Sequence, residues 1–162
     1  AVKALENYTK LNGKKCLVIG AGGASRAVVF GLVKKSARVT ITNRTREKAE
    51  KLAKEFGSKV IDFEDRNEVT QQFDIIINTT SVGMYPDTDN TVLETFNEST
   101  LVMDIVYKPL KTRFLQLAEQ AGCEIITGEK MLVYQAMEQF EIWTGQRPKF
   151  KIMHKAFSNI PE

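Results

Sequence analysis

The sequence predicts an α/β fold, a doubly wound parallel sheet in a single domain, and three observations carry the prediction. Strand-type and helix-type patterns alternate from Lys15 to about Thr144, as they do when a parallel sheet is covered on both faces. The first strand-type run, K-C-L-V-I at 15–19, is apolar without alternation, as a strand buried on both faces is. It passes straight into a glycine-rich turn, G-A-G-G-A-S at 20–25, and then into apolar residues at helical spacing.

Residues 2–11 (V-K-A-L-E-N-Y-T-K-L) carry the spacing of an amphipathic helix. Strands are expected at 15–19, 38–42, 59–61, 73–78, 101–105 and 124–126, and helices at 25–35, 46–56, 112–121 and 129–144, with a turn of helix near 65–70. Gly57 and Gly122 stand at or just past helix ends, where a left-handed cap is wanted. After Pro148 a last amphipathic pattern, F-K-I-M-H-K-A-F, covers 150–157 within a tail of 146–162. Parallel strands with right-handed crossovers place ligands beyond the strands' carboxyl ends. The two end helices carry apolar stripes that pack either on this domain or on something outside the chain. Left uncovered, they give the chain a route to homo-oligomers.

At 162 residues the chain suits one domain. Its 23 basic and 20 acidic residues are interspersed, without the basic stripe that a nucleic-acid backbone requires. No apolar run approaches the ~18 residues of a membrane span, and no signal peptide opens it. Cys16 and Cys123, both placed in central-type strands, lack zinc-site spacing. They read as free thiols of a reducing cytoplasm, and no metal is expected.

The glycine turn has the form of a Rossmann dinucleotide site. Gly20 permits the tight turn, Gly22 lets the backbone approach phosphates, and Ser25 fills the third slot of G-x-G-x-x-[G/A]. Free N–H groups at the helix start then face the anion. The second strand ends in Thr42-Asn43-Arg44-Thr45, with Asn43 lying 23 residues after Gly20. NAD sites usually hold a carboxylate there, on the ribose 2′-hydroxyl. Asn43 would not repel a 2′-phosphate, and Arg44 can grip one through its donor fork, with Thr45 and Lys48 beside it. The chain therefore favours NADP. Thr45 also reads as the N-cap of the following helix.

Four further stretches complete a pattern: N-T-T-S-V-G-M at 78–84, D-I-V-Y-K-P at 104–109, G-E-K-M-L-V-Y-Q at 128–135 and F-E-I-W-T-G at 140–145. With G-A-G-G-A-S-R-A and N-R-T-R-E-K-A, they resemble the C-terminal, NADP-binding half of shikimate dehydrogenase over about Leu11 to Gly145. The resemblance implies reversible reduction of 3-dehydroshikimate to shikimate by NADPH. It implies that Gly20, Ala21, Gly22, Gly23 and Ala24 hold the pyrophosphate, and that Asn43, Arg44, Thr45 and Lys48 hold the 2′-phosphate end. Ile105 and Gly128 would border the nicotinamide with Met131 near, and Tyr107 and Gln135 would hydrogen-bond the substrate. Residues 1–12 resemble the family's interdomain linker helix. The family's catalytic Lys and Asp lie on an N-terminal substrate domain that this sequence lacks, so no catalytic residue is assigned.

Local readings stand beside these roles. Met131 and Met137 fit a core stripe with Leu132, Phe140 and Trp143, and Asn78 and Ser81 are natural loop formers. Tyr107 and Lys111 match the Tyr-x-x-x-Lys spacing of short-chain dehydrogenases, but Pro109 denies the helical turn that spacing needs. His154 reads as a solvated tail residue. Two other readings are a non-catalytic dinucleotide-sensing module and a dehydrogenase of quinate or aminoshikimate.

Overall fold

The computed structural model describes residues 1–158. Its described elements are α1 (Val2–Glu6), β1 (Lys15–Ile19), α2 (Gly23–Lys34), β2 (Arg38–Thr42), α3 (Arg46–Phe56), β3 (Lys59–Val60), β4 (Ile75–Asn78), β5 (Leu101–Asp104), α4 (Arg113–Gln120), β6 (Glu124–Ile126), α5 (Gly128–Thr144) and α6 (Phe150–Ser158). Two 3₁₀ turns, Glu64–Asn67 and Thr70–Gln72, stand where one turn of helix is expected.

The strands form one six-stranded sheet in the order β3-β2-β1-β4-β5-β6, with every pairing parallel. Chain order reverses around β1, so the crevice beyond the carboxyl ends of β1 and β4 is the topological switch point. Side chains alternate across the sheet into two cores. Cys16, Val18, Ile41, Ile75, Ile77 and Met103 face α1, α2 and α3. Leu17, Ile19, Ile76 and Val102 face Phe114, Leu115 and Ala118 of α4. Burial of each such Leu, Ile or Phe contributes roughly 1.5–3 kcal/mol, which is why the doubly buried strands read so clearly as apolar runs.

Several expectations are corrected. The first helix ends at Glu6 rather than near 11. Asn7 and Thr9 are weak helix formers, the Asn7 amide donates to the Tyr134 hydroxyl at 2.8 Å, and Leu11 reaches the core from irregular chain. Its apolar stripe is covered within this domain: Ala4 and Leu5 are fully buried, and Val2 sits so close to Gly31 of α2 that a Cβ there would lie 2.6 Å from it. Cys123 is a buried free thiol, yet it precedes β6, which is an edge strand rather than a central one. The α5 stripe also differs. Met137 is buried, but Phe140 and Trp143 are exposed, because the 17-residue helix outruns the three-residue edge strand before it. In the tail, α6 ends at Ser158, and residues 159–162 of the expected 146–162 segment lie outside the described residues. His154 is half-buried and stacks on Phe150, with ring centroids 5.5 Å apart, rather than standing free in solvent.

Among the described residues no helix is long and apolar enough to cross a membrane, and no three His, Cys, Asp or Glu side chains converge as a metal site would require.

Candidate functional site

The β1–α2 turn is held by a short hydrogen-bond relay. Ser25 Oγ accepts from the Gly22 N–H at 3.0 Å and lies 2.7 Å from Thr79 Oγ1, which itself donates to the Ile19 carbonyl at 2.7 Å. Because the Thr79 proton is committed to Ile19, Ser25 is the donor to Thr79. The third slot of the glycine motif is thus a polar clip between β1, α2 and the end of β4. It takes up the Gly22 amide, so that N–H is not one of the free donors expected for an anion. Gly20 has a φ of +118°, and a Cβ there would sit 2.6 Å from Thr79 Oγ1, so both conformation and space require glycine. A Cβ at Gly22 or Gly23 would meet nothing within 4 Å. That openness is a cradle over the start of the 12-residue α2, where unpaired backbone N–H groups and the helix dipole favour negative charge.

Two concavities meet at this turn. The smaller, about 370 Å³, is lined by Ala21, Gly22, Gly23, Arg26, Lys48 and Lys51, with Leu52 and Glu55. Arg26 is tied to Glu55 at 2.5 Å, whereas Lys48 and Lys51 carry no ion pair among the described residues. At the end of β2, Asn43 donates to the Thr45 carbonyl at 2.8 Å. Thr45 occupies the N-cap position of α3, but its hydroxyl makes no cap hydrogen bond. Arg44 is exposed and unpaired among the described residues, while its neighbour Arg46 is engaged by Asp62 and Glu50. Asn43, Arg44 and Thr45 lie outside the lining of both concavities.

The larger concavity, about 650 Å³, brings Gly22, Gly23 and Ala24 together with Ile105, Tyr107, Met131 and Gln135. Four segments far apart in sequence converge here, and Met131 also packs on the core. Tyr107 is 48% exposed, with its ring edge-on to Phe157 of α6 at 6.3 Å. Gly128 is not part of the wall. A Cβ there would overlap the Val106 carbonyl and lie 2.6 Å from the Ile105 oxygen. Its role is to let the start of α5 approach the backbone that carries Ile105. Residues 107–111 form no helix, so Tyr107 and Lys111 do not share a helical turn.

Sequence reasoning assigned no role to Thr79, Thr80, Met84, Tyr85 or Lys108, which also line the larger space, or to Asp104 beneath it. Asp104 is fully buried and accepts from Val106 N–H, Asn78 Nδ2 and Thr112 Oγ1. Desolvation pushes its carboxyl up to about 6, partly opposed by those donors. The signal was available: an acidic residue closing the apolar run L-V-M-D at the ligand end of a parallel strand.

Comparison with known proteins places this geometry. A family model described as shikimate / quinate 5-dehydrogenase matches residues 2–109, and one described as the shikimate 5′-dehydrogenase C-terminal domain matches 128–156. The shikimate dehydrogenase (NADP(+)) of Methanococcus maripaludis strain C6 is 47% identical, over 97% of this chain and 59% of its own length. The crystal structure of shikimate 5-dehydrogenase from Thermus thermophilus in complex with NADP(H) and shikimate superposes with a TM-score of 0.86 at 37% identity, over 96% of this chain and 58% of that one. Quinate dehydrogenase from Corynebacterium glutamicum in complex with NAD gives 0.88 at 26% identity, over 98% and 60%. The chain thus spans about three-fifths of the length of the curated relatives it matches. By its matched motifs and its shared sheet, the chain belongs to the shikimate / quinate 5-dehydrogenase family.

Proposed function

We propose that this chain is the NADP-binding part of an oxidoreductase that reversibly reduces 3-dehydroshikimate to shikimate. The observation that carries the reading is the open Gly22–Gly23 cradle, flanked on one side by the cation Lys48, unpaired among the described residues, and on the other by the cavity of Ile105, Tyr107, Met131 and Gln135, with Arg44 exposed just past the end of β2, the strand paired with β1. These residues fit a 2′-phosphorylated dinucleotide. Two positions without Cβ contact receive the pyrophosphate, and a carboxylate-free strand end with a free guanidinium suits the 2′-phosphate. Gly20 to Ala24 take the pyrophosphate; Asn43, Arg44, Thr45 and Lys48 take the adenosine end. Ile105 and Met131 border the nicotinamide, with Gly128 behind Ile105. Bound there, NADPH supplies a hydride to the substrate carbonyl.

The Tyr107 hydroxyl and the Gln135 amide hydrogen-bond the substrate and orient it against that face. The proton for the alkoxide comes from a second wall, a substrate domain carrying the acid–base residues. Residues 1–12 serve as the linker to it, with helix confined to Val2–Glu6, and 146–162 form the tail. The enzyme works in the cytoplasm. The NAD complex of the quinate relative raises a second cofactor choice. Asn43 and Arg44 favour NADP here.

Calorimetric titration of the chain with NADP⁺ and NAD⁺ tests the reading. NADP⁺ should bind at least ~10-fold tighter, about 1.4 kcal/mol. Equal affinities would remove the phosphate clamp, and no binding of either would remove the dinucleotide site.

A further inference from the structure

Strands β4 and β5 stop in register at Asn78 and Asp104, both fully buried. Beyond that pair the chain diverges into two segments that face each other across the larger cavity, one carrying Thr79 to Ser81 and the other Ile105 to Lys108. The backbone adds one more bond, Ile105 N–H to the Asn78 carbonyl at 3.1 Å, and the two segments meet again only where Tyr85 N–H donates to the Lys108 carbonyl at 3.4 Å; between those points backbone groups have no next strand to pair with, so side chains serve them. Here the last register pair does so. Asn78 Oδ1 accepts from the Thr80 N–H at 3.0 Å and the Thr80 hydroxyl at 2.7 Å, which fixes the first wall. Asp104 Oδ1 accepts from the Val106 N–H at 3.0 Å, and its Oδ2 from Thr112 Oγ1 at 2.7 Å, closing segment 105–111 at both ends. The crossbar is Asn78 Nδ2, donating to Asp104 Oδ1 at 3.0 Å.

We propose that Asp104 is a positioning residue: through Asn78, Val106 and Thr112 it sets the separation of the two cavity walls, and so the placement of Ile105 and Tyr107. The proposal rests on reading this cavity as the nicotinamide and substrate site. The chemistry of the side chain supports it. Three donors converge on two oxygens, and a carboxylate, which only accepts, can serve them all. An amide at this position would turn a donor toward one of them. Thr112 has little room to adapt, since its oxygen also caps α4 by accepting from the Leu115 N–H. A buried charge is an expensive way to gain stability alone, and a well-packed neutral group would serve better. What the carboxylate supplies is a single geometry at the base of two loops that are otherwise joined, among the described hydrogen bonds, by the long backbone contact from Tyr85 N–H to the Lys108 carbonyl and by no other side-chain crossbar.

The test uses the 162-residue chain, titrated with NADP⁺ and with 2′,5′-ADP, which has the adenosine and 2′-phosphate but no nicotinamide. Asp104→Asn should weaken NADP⁺ at least ~5-fold while 2′,5′-ADP stays within about 2-fold. Thr112→Val should repeat the pattern, and Thr112→Ser, which keeps the hydroxyl, should restore it. The Thr112 pair carries the test alone if Asp104→Asn does not fold. Parallel loss of both nucleotides, or no loss of either, would show a merely structural residue and overturn the proposal. So would equal affinity of the unaltered chain for the two nucleotides, with the adenosine site left standing. Binding of neither nucleotide by the unaltered chain would instead fell the functional reading itself.

Discussion

Arg44 and Arg46 are two residues apart and do different work. Arg46 is a structural cation bridging Asp62 and Glu50, while Arg44, just past the end of β2, is unpaired among the described residues. Arg44→Ala is expected to weaken NADP⁺ about 10-fold and leave NAD⁺ unchanged, whereas Arg46→Ala should leave both within about 2-fold; paired titrations check this. Asp104 makes a second residue-scale prediction, through pH. Its folded carboxyl titrates near 6 against an ordinary value of 3.8, so between those values the folded state holds more protons than the unfolded one. Stability from this group is therefore greatest below pH ~4 and falls as pH rises to about 6, by up to roughly 3 kcal/mol. Glu138, whose carboxyl the Lys3 ammonium holds below its ordinary range, slopes the other way, so the quantity to measure is the difference in urea midpoint between the chain and Asp104→Asn. That difference should change between pH 4 and 6 and be flat above 7.

At the scale of elements, legibility followed burial. The strand at 15–19 matches the structure residue for residue, because a strand covered on both faces leaves an apolar run; those at 38–42 and 124–126 match as well, although the first alternates with threonine and the second is a partly exposed edge strand. The helix at 46–56 also matches at both ends, whereas the end of the first helix and the buried face of α5 were harder. Periodicity shows that Met137, Phe140 and Trp143 share a stripe, but not that the sheet stops before the helix does; Trp143 is 78% exposed. The site was legible where a motif is local, as in the glycine turn. It was illegible where a contact depends on register, since Asn78 and Asp104 meet only because β4 and β5 pair 26 residues apart. Two aromatic residues test this picture of the elements. Phe114 of α4 is 1% exposed in the second core, and Phe114→Ala should cost about 3–5 kcal/mol in a denaturant melt. Trp143→Ala should change stability by less than ~0.5 kcal/mol, and the emission of this sole tryptophan should already be that of a solvated ring in the folded chain.

For the whole molecule, the proposed function makes the sheet one wall of a reaction site. The cavity opens at Tyr107 and Gln135, both exposed, and among the described residues its titratable lining is Tyr85, Tyr107 and Lys108, with no His, Asp or Glu. Hydride transfer to a carbonyl needs the carbon held against the nicotinamide and a proton donor within hydrogen-bond reach of the oxygen. A substrate touched from one side satisfies neither demand, and orientation of this kind is worth roughly 7–11 kcal/mol of barrier. The chain alone should therefore bind NADP⁺ yet show no shikimate-dependent formation of NADPH above background, followed by absorbance at saturating cofactor. Binding without turnover would place the acid–base chemistry on the second wall. A measurable shikimate-dependent rate would place it on this one, and Tyr107→Phe and Lys108→Ala would then show whether the phenol or the ammonium carries the proton.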